Sequence, residues 1–196
     1  MKSPVDARPP KGFHAATPSE VAMQVPRLRH FLAALVLLNS PVMADLAPIT
    51  TAPGIKVESL GVYCNLESEG REDAPETDLG YIDILSGMPE FAFQQREIPA
   101  RLGISFGLVA ISDRDIFQAK IETLRPGAAK PDVWYSDFVA GEPALRGFSF
   151  DFARELTPGI WKMDAYDGAL LLYSVEFEVL PGSELRGVSS DCNLMS

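Results

Sequence analysis

Ile160-Trp-Lys-Met-Asp-Ala-Tyr-Asp-Gly-Ala-Leu-Leu-Leu-Tyr-Ser-Val-Glu-Phe-Glu-Val179 is the stretch that decides the fold class. After Asp167-Gly168, Leu171, Tyr173, Val175, Phe177 and Val179 fall at odd positions, against Ser174, Glu176 and Glu178 at even ones. A period of two places alternate side chains on opposite faces of a strand, so one face is read as buried and the other as wet. Asp-Gly tolerates the positive φ of a tight turn, and a type I′ hairpin is expected there. Trp161 is expected in the core or at the sheet edge, its indole N–H needing an acceptor.

Working outward, Phe148, Phe150 and Phe152 repeat the period and are read as core rather than as a ligand box. Further strand-like runs lie at residues 55–63, 79–85, 91–96, 102–111, 116–124, 133–139, 145–152, 160–166 and 170–180. Turn chemistry stands between them: Ser86-Gly87, Arg125-Pro-Gly127, Gly141-Glu-Pro143, Pro158-Gly159 and Pro181-Gly182. Residues 45–54 read as an extended lead-in and 65–78 as a polar, acidic loop. The expected fold is all-β: an antiparallel, immunoglobulin-like β-sandwich of about eight strands over residues 55–196, preceded by a signal-peptide helix.

The leader is read from Phe31-Leu-Ala-Ala-Leu-Val-Leu-Leu38, an apolar run flanked by Arg27, Arg29 and His30 and followed by Pro41. A basic flank, a short apolar core and Val42-Met43-Ala44 form a secretory signal cleaved after Ala44. The run is far shorter than the ~20 residues needed to span a bilayer. Residues 1–22, with Pro4, Pro9, Pro10 and Pro18, fit no such signal. Met23 is the expected start, giving a signal over 23–44 behind a mis-assigned or disordered extension. No cysteine closely follows Ala44, so a lipid anchor is not expected, and the product is periplasmic or secreted.

Composition narrows the function. Twelve of the 17 basic residues but 25 of the 27 acidic ones follow residue 44, a net charge of −13 there. Nucleic acid and anionic membranes need the opposite sign. Both histidines, His14 and His30, precede the cleavage point. Gly103-Ile-Ser-Phe-Gly107 matches G-x-S-x-G, yet Ser105 sits in a strand-like run and lacks an imidazole base. Its glycines are read as permitting close backbone approach or a bulge.

Glu67, Glu69, Glu72, Asp73, Glu76 and Asp78 could ligate Ca²⁺, but the EF-hand order is missing and Pro75 stiffens the segment. Met88, Met163 and Met195 are scattered and make no copper site. No catalytic, cofactor or metal residue is assigned. Cys64 and Cys192 are the only cysteines, and export makes a structural disulfide the expectation over a redox pair or a metal site.

Gly61-Val-Tyr63, Thr77-Asp-Leu-Gly-Tyr81, Ile98-Pro-Ala-Arg-Leu-Gly-Ile-Ser-Phe-Gly107 and Phe150-Asp-Phe-Ala-Arg-Glu-Leu-Thr-Pro-Gly-Ile-Trp161 together resemble an exported bacterial domain-of-unknown-function family. The resemblance covers roughly 55–180 and implies an immunoglobulin-like sandwich. It carries no activity. The expected function is a non-enzymatic exported module binding a protein or envelope ligand. The alternative is a carboxylate-based enzyme or a calcium-dependent binder using residues 65–78.

Overall fold

The computed structural model describes residues 45–64 and 67–182. Eleven strands are named among them: β1 (Thr50–Thr51), β2 (Ile55–Cys64), β3 (Ser68–Asp73), β4 (Tyr81–Leu85), β5 (Glu97–Ala100), β6 (Ile104–Ser112), β7 (Ile116–Leu124), β8 (Asp132–Phe138), β9 (Pro143–Ser149), β10 (Gly159–Asp167) and β11 (Leu170–Pro181). The larger sheet runs β1-β11-β10-β7-β8 with β5 beside β11, the second β2-β6-β9, and β3 pairs with β4. Every pairing is antiparallel except β5 with β11, a correction to the purely antiparallel expectation.

The two larger sheets close on one core. Phe106 lies edge-on to Trp161 at 5.6 Å and to Phe177 at 5.2 Å, and Phe148 lies 4.9 Å from Trp161. Trp161 is fully buried, and its indole N–H donates to the Thr157 carbonyl at 2.8 Å. Phe150 is fully buried too, but Phe152 is 40% exposed. Strand β9 ends at Ser149, so the alternation does not extend to Phe152, whose ring lies beneath the Arg154 guanidinium instead.

The decisive hairpin forms with two corrections. Asp167 pairs with Leu170, leaving Gly168-Ala169 as the loop, and only Gly168 has positive φ (57°). That is the φ pattern of a type II′ turn, with glycine at the first central position, and not of type I′. A register shift opposite Ala165/Tyr166 then inserts an extra residue in β11. Leu172 in place of Leu171 becomes buried, and the odd-numbered alternation resumes at Tyr173.

The strand count exceeds the expectation because two strands, β1 and β3, carry no apolar alternation. Strand β3 is exposed at every residue, so the acidic segment read as a loop is a hairpin arm. Strand β1 lies inside the lead-in, where Thr50 and Thr51 pair with Ser174 and Tyr173. The strand expected at 91–96 is irregular, with one bridge from Phe93 to Val62. The ladder begins a step later, at Glu97, after Arg96 accepts the Glu178 N–H. Pro99 is tolerated there because β5 borders only β11.

Strand β6 is central in its sheet and buried on both faces apart from Ile111, as its near-continuous apolar run requires. Gly107 pairs with Gly61 on one side and Gly147 on the other, a row of glycines across the sheet. A Cβ at Gly107 would meet the backbone of Arg146 and Gly147. The close approach read from the sequence is thus present.

Candidate functional site

Strand β8 ends the larger sheet and β9 ends the second, and the β3–β4 hairpin joins neither. The hairpin is strapped across this open side by its turn. Val133 N–H donates to the Glu76 carbonyl at 3.2 Å, and Asp78 N–H to Asp132 Oδ1 at 2.7 Å. Arg125 reaches Asp132 Oδ2 at 3.3 Å and Asp78 Oδ2 at 3.4 Å, and Arg154 reaches Asp78 at 3.6 Å. Along the hairpin, Arg71 binds Asp83 at 3.1 Å and its guanidinium stacks 4.1 Å over the Tyr81 ring.

Beneath the strap is a cleft of about 330 Å³ that wraps the β9 edge. Tyr81, Ile84 and Leu85 line it from the hairpin. Thr123 of β7, Arg125 just beyond its end, and Asp132, Trp134 and Ser136 of β8 form one wall, while Arg146, Phe148 and Ser149 of β9 form the other. Asp151 and Glu155 also line the cleft. The volume is at the low end of the ~300–1,000 Å³ typical of small-molecule sites.

Two lining residues carry buried polar atoms without partners. Thr123 is 1% exposed, and its Oγ1 has no hydrogen bond among the described residues. Arg146 is 8% exposed. It donates to the carbonyls of Leu145 at 2.7 Å and Asp137 at 3.0 Å, with its guanidinium 4.7 Å from the Phe138 ring. Its Nε is unpaired. Burial pulls its pKa down, although a guanidinium remains charged at neutral pH. Buried orphan donors are costly, and natural folds keep few of them.

The acids divide by role. Burial raises the Asp132 carboxyl above its ordinary range, opposed by Arg125. Burial also raises Asp151, and the Asp83 charge adds to it. Glu155 is committed to the backbone: Oε2 accepts N–H from Asp151 at 2.9 Å and Phe152 at 2.8 Å.

The residues read from sequence land mostly elsewhere. Ser105 is fully buried, its hydroxyl 2.7 Å from Ser149 Oγ. Cys64 ends β2 next to Tyr63, which lines the cleft. Cys192, Ala44, Met195 and the whole of 1–44 lie outside the described residues. Of the acidic segment, Glu72 and Asp78 line the cleft. Among the described residues no three His, Cys, Asp or Glu side chains gather to hold a metal. Met163 is buried in the core and Met88 is 46% exposed.

Thr123, Arg125, Asp132, Trp134 and Arg146 were not singled out in the sequence. A signal was present for Arg146: it sits two residues before Phe148 and four before Phe150. The same period of two therefore turns a lone cation to the inner face.

Fold and cleft together define an all-β sandwich with a ligand-sized opening along one edge. No family model matches the chain, and no curated protein matches it. Among solved structures it is similar to an immunoglobulin-like protein (PA1606) from Pseudomonas aeruginosa, 19% identical with a TM-score of 0.42, over 70% of this chain and 100% of that one. It is also similar to a β-glucosidase from Listeria innocua solved with glucose, 17% identical at a TM-score of 0.24, over 60% of this chain but only 22% of the enzyme.

Proposed function

We propose that the chain is an exported, non-enzymatic, immunoglobulin-like binding module of the bacterial envelope, and that its ligand seats in the cleft under the β3–β4 strap. The observation that carries this reading is the cleft itself, a ligand-sized opening lined by the β3–β4 hairpin and by strands β8 and β9. A concave opening of this volume, with aromatic and a few polar side chains in its lining, is the kind of place where a ligand seats. The signal sequence and the resemblance to an exported family support the location, and a Cys64–Cys192 disulfide belongs to the same reading.

The test is a melting-point screen of the exported protein against small-molecule, peptide and glycan libraries. Binding to the native state alone raises the midpoint, by about 2.7 kcal/mol of stability at 100 times Kd. Ile84, 41% exposed on the hairpin, lines the cleft, so I84W narrows the opening without touching the core. Hits should stabilise the natural protein and not I84W. Hits that stabilise both equally, or no hit at all, would overturn the assignment of the cleft.

A further inference from the structure

We infer, resting on the cleft as the ligand site, that it takes an organic cation: an ammonium or guanidinium group, on a free amine or on a basic side chain. The first observation is a carboxylate without a partner. Asp151 is exposed and lines the cleft. Its main-chain N–H donates to Glu155, but the Asp151 carboxylate itself makes no hydrogen bond or ion pair among the described residues. Partial burial, and next the Asp83 charge, raise its pKa, with Arg71 opposing. An arriving cation offsets that like charge.

The second observation is Tyr63, which is 2% exposed and lines the same cleft. Its hydroxyl makes no hydrogen bond among the described residues. Yet it is not one of the unpartnered side-chain atoms sealed from solvent, which are Thr123 Oγ1, Arg146 Nε, Asp164 Oδ1 and the Tyr173 hydroxyl. The Tyr63 oxygen therefore opens into the cleft. Gly147 makes room for it, since a Cβ there would collide with the hydroxyl. Burial raises the Tyr63 pKa, and the Asp151 charge raises it further. A neutral phenol oxygen beside a carboxylate can accept N–H donors.

The protein's own cations are already taken. Arg125 pairs with Asp78 and Asp132, Arg154 with Asp78 and Arg71 with Asp83, while Arg146 is held by two main-chain carbonyls. Glu72 of β3 adds a further carboxylate to the lining. An anion meets like charge there, and a neutral ligand leaves Asp151 unpaired. A metal ion needs several oxygen ligands, and among the described residues no three His, Cys, Asp or Glu side chains gather to hold one. An ammonium or guanidinium brings its own N–H donors and needs only a carboxylate with a neighbouring acceptor.

The experiment is calorimetric titration of the exported protein in ~0.15 M salt, where exposed charges are screened. The probes are spermidine, capped lysine, capped arginine and a capped tripeptide with lysine at its centre. They are set against Nε-acetylated capped lysine, glutarate, glucose and calcium chloride. At least one cation should bind saturably, and the acetylated lysine should not. Tighter binding of spermidine assigns a free amine, and tighter binding of the tripeptide assigns a basic side chain. D151N should weaken binding about tenfold or more, with the melting point unchanged or higher, because the carboxylate is unpartnered and crowded by Asp83. Y63F should weaken it about three- to fivefold and tests the site independently of Asp151. E142Q removes the same charge from an exposed position outside the cleft and should bind as the natural protein does.

Equal loss of affinity in D151N and E142Q would reduce the effect to net charge and overturn the inference, as would cation binding unaffected by both D151N and Y63F. Acetylated lysine, glutarate, glucose or calcium bound in place of the cations, and blocked by I84W, would overturn the ligand class while leaving the cleft as the site. Cation binding indifferent to I84W would overturn the class and the site together. No binding by any cation at millimolar concentration would also overturn the class.

Discussion

Replacing Gly107 by alanine should damage the second sheet far more than its small size suggests. Gly107 pairs with Gly61 and Gly147, and an added Cβ there lies 2.6 Å from the Gly147 Cα and closer still to the Arg146 carbonyl oxygen. Those atoms are backbone, so relief requires β6 and β9 to move apart along a ladder that runs from Ser105–Ser149 to Ile111–Pro143. Overpacking a tight interior costs 1–3 kcal/mol, and a clash with main chain belongs at the top, about 3 kcal/mol. For a domain of this size that is a fall of roughly 6–12 °C in Tm.

Gly70 is the control. It lies on the exposed β3, with no atom within 4 Å of an added Cβ. G70A should fall within about 1 kcal/mol of the natural protein, with a small gain from a less flexible unfolded chain. Parallel thermal and urea melts read both variants. If G107A melts within about 2 °C of G70A, the glycine row is not what lets these strands approach, and the account of this sheet fails.

Three further outcomes follow from the same coordinates. W161A should cost about 3–5 kcal/mol in urea melts, since a fully buried indole touching Phe106, Phe148 and Phe150 leaves a cavity among rings. For Asp132, whose folded pKa lies above the ordinary value of 3.8, the native state holds its proton more tightly than the unfolded chain does. Its charged form therefore counts against folding at neutral pH, and stability is regained as pH falls through the folded pKa. The Tm of D132N minus that of the natural protein should be largest near pH 7 and shrink toward zero below pH 3.8; a difference that grows on acidification contradicts this. Finally, the intact mass of the exported protein should match residues 45–196 less two hydrogens, for cleavage after Ala44 and a Cys64–Cys192 bond. Reduction should then lower stability by about 2–5 kcal/mol.

The elements most legible in the sequence are those whose evidence is local. The period of two in 173–179, Trp161 in the core and the tight packing at Gly107 are each visible within a few residues. The residues that departed from expectation answer to strand pairing and strand ends, which their own alternation does not record. Leu172 turns inward because β11 carries an extra residue against β10, and Phe152 turns out because β9 stops at Ser149. The acidic arm 68–73 becomes a strand through pairing with β4, although its own side chains are all exposed.

By itself, then, the order of residues determined that two-faced strands would stack on an aromatic core, since alternation is written into adjacent positions and burial follows from it. Only the tertiary arrangement decided that β8 and β9 would be left as facing edges, with a hairpin anchored across them by Asp78, Arg125 and Asp132. Which polar atom goes unpaired is a property of that closure. Thr123 and Arg146 are ordinary letters in a strand until that closure buries them.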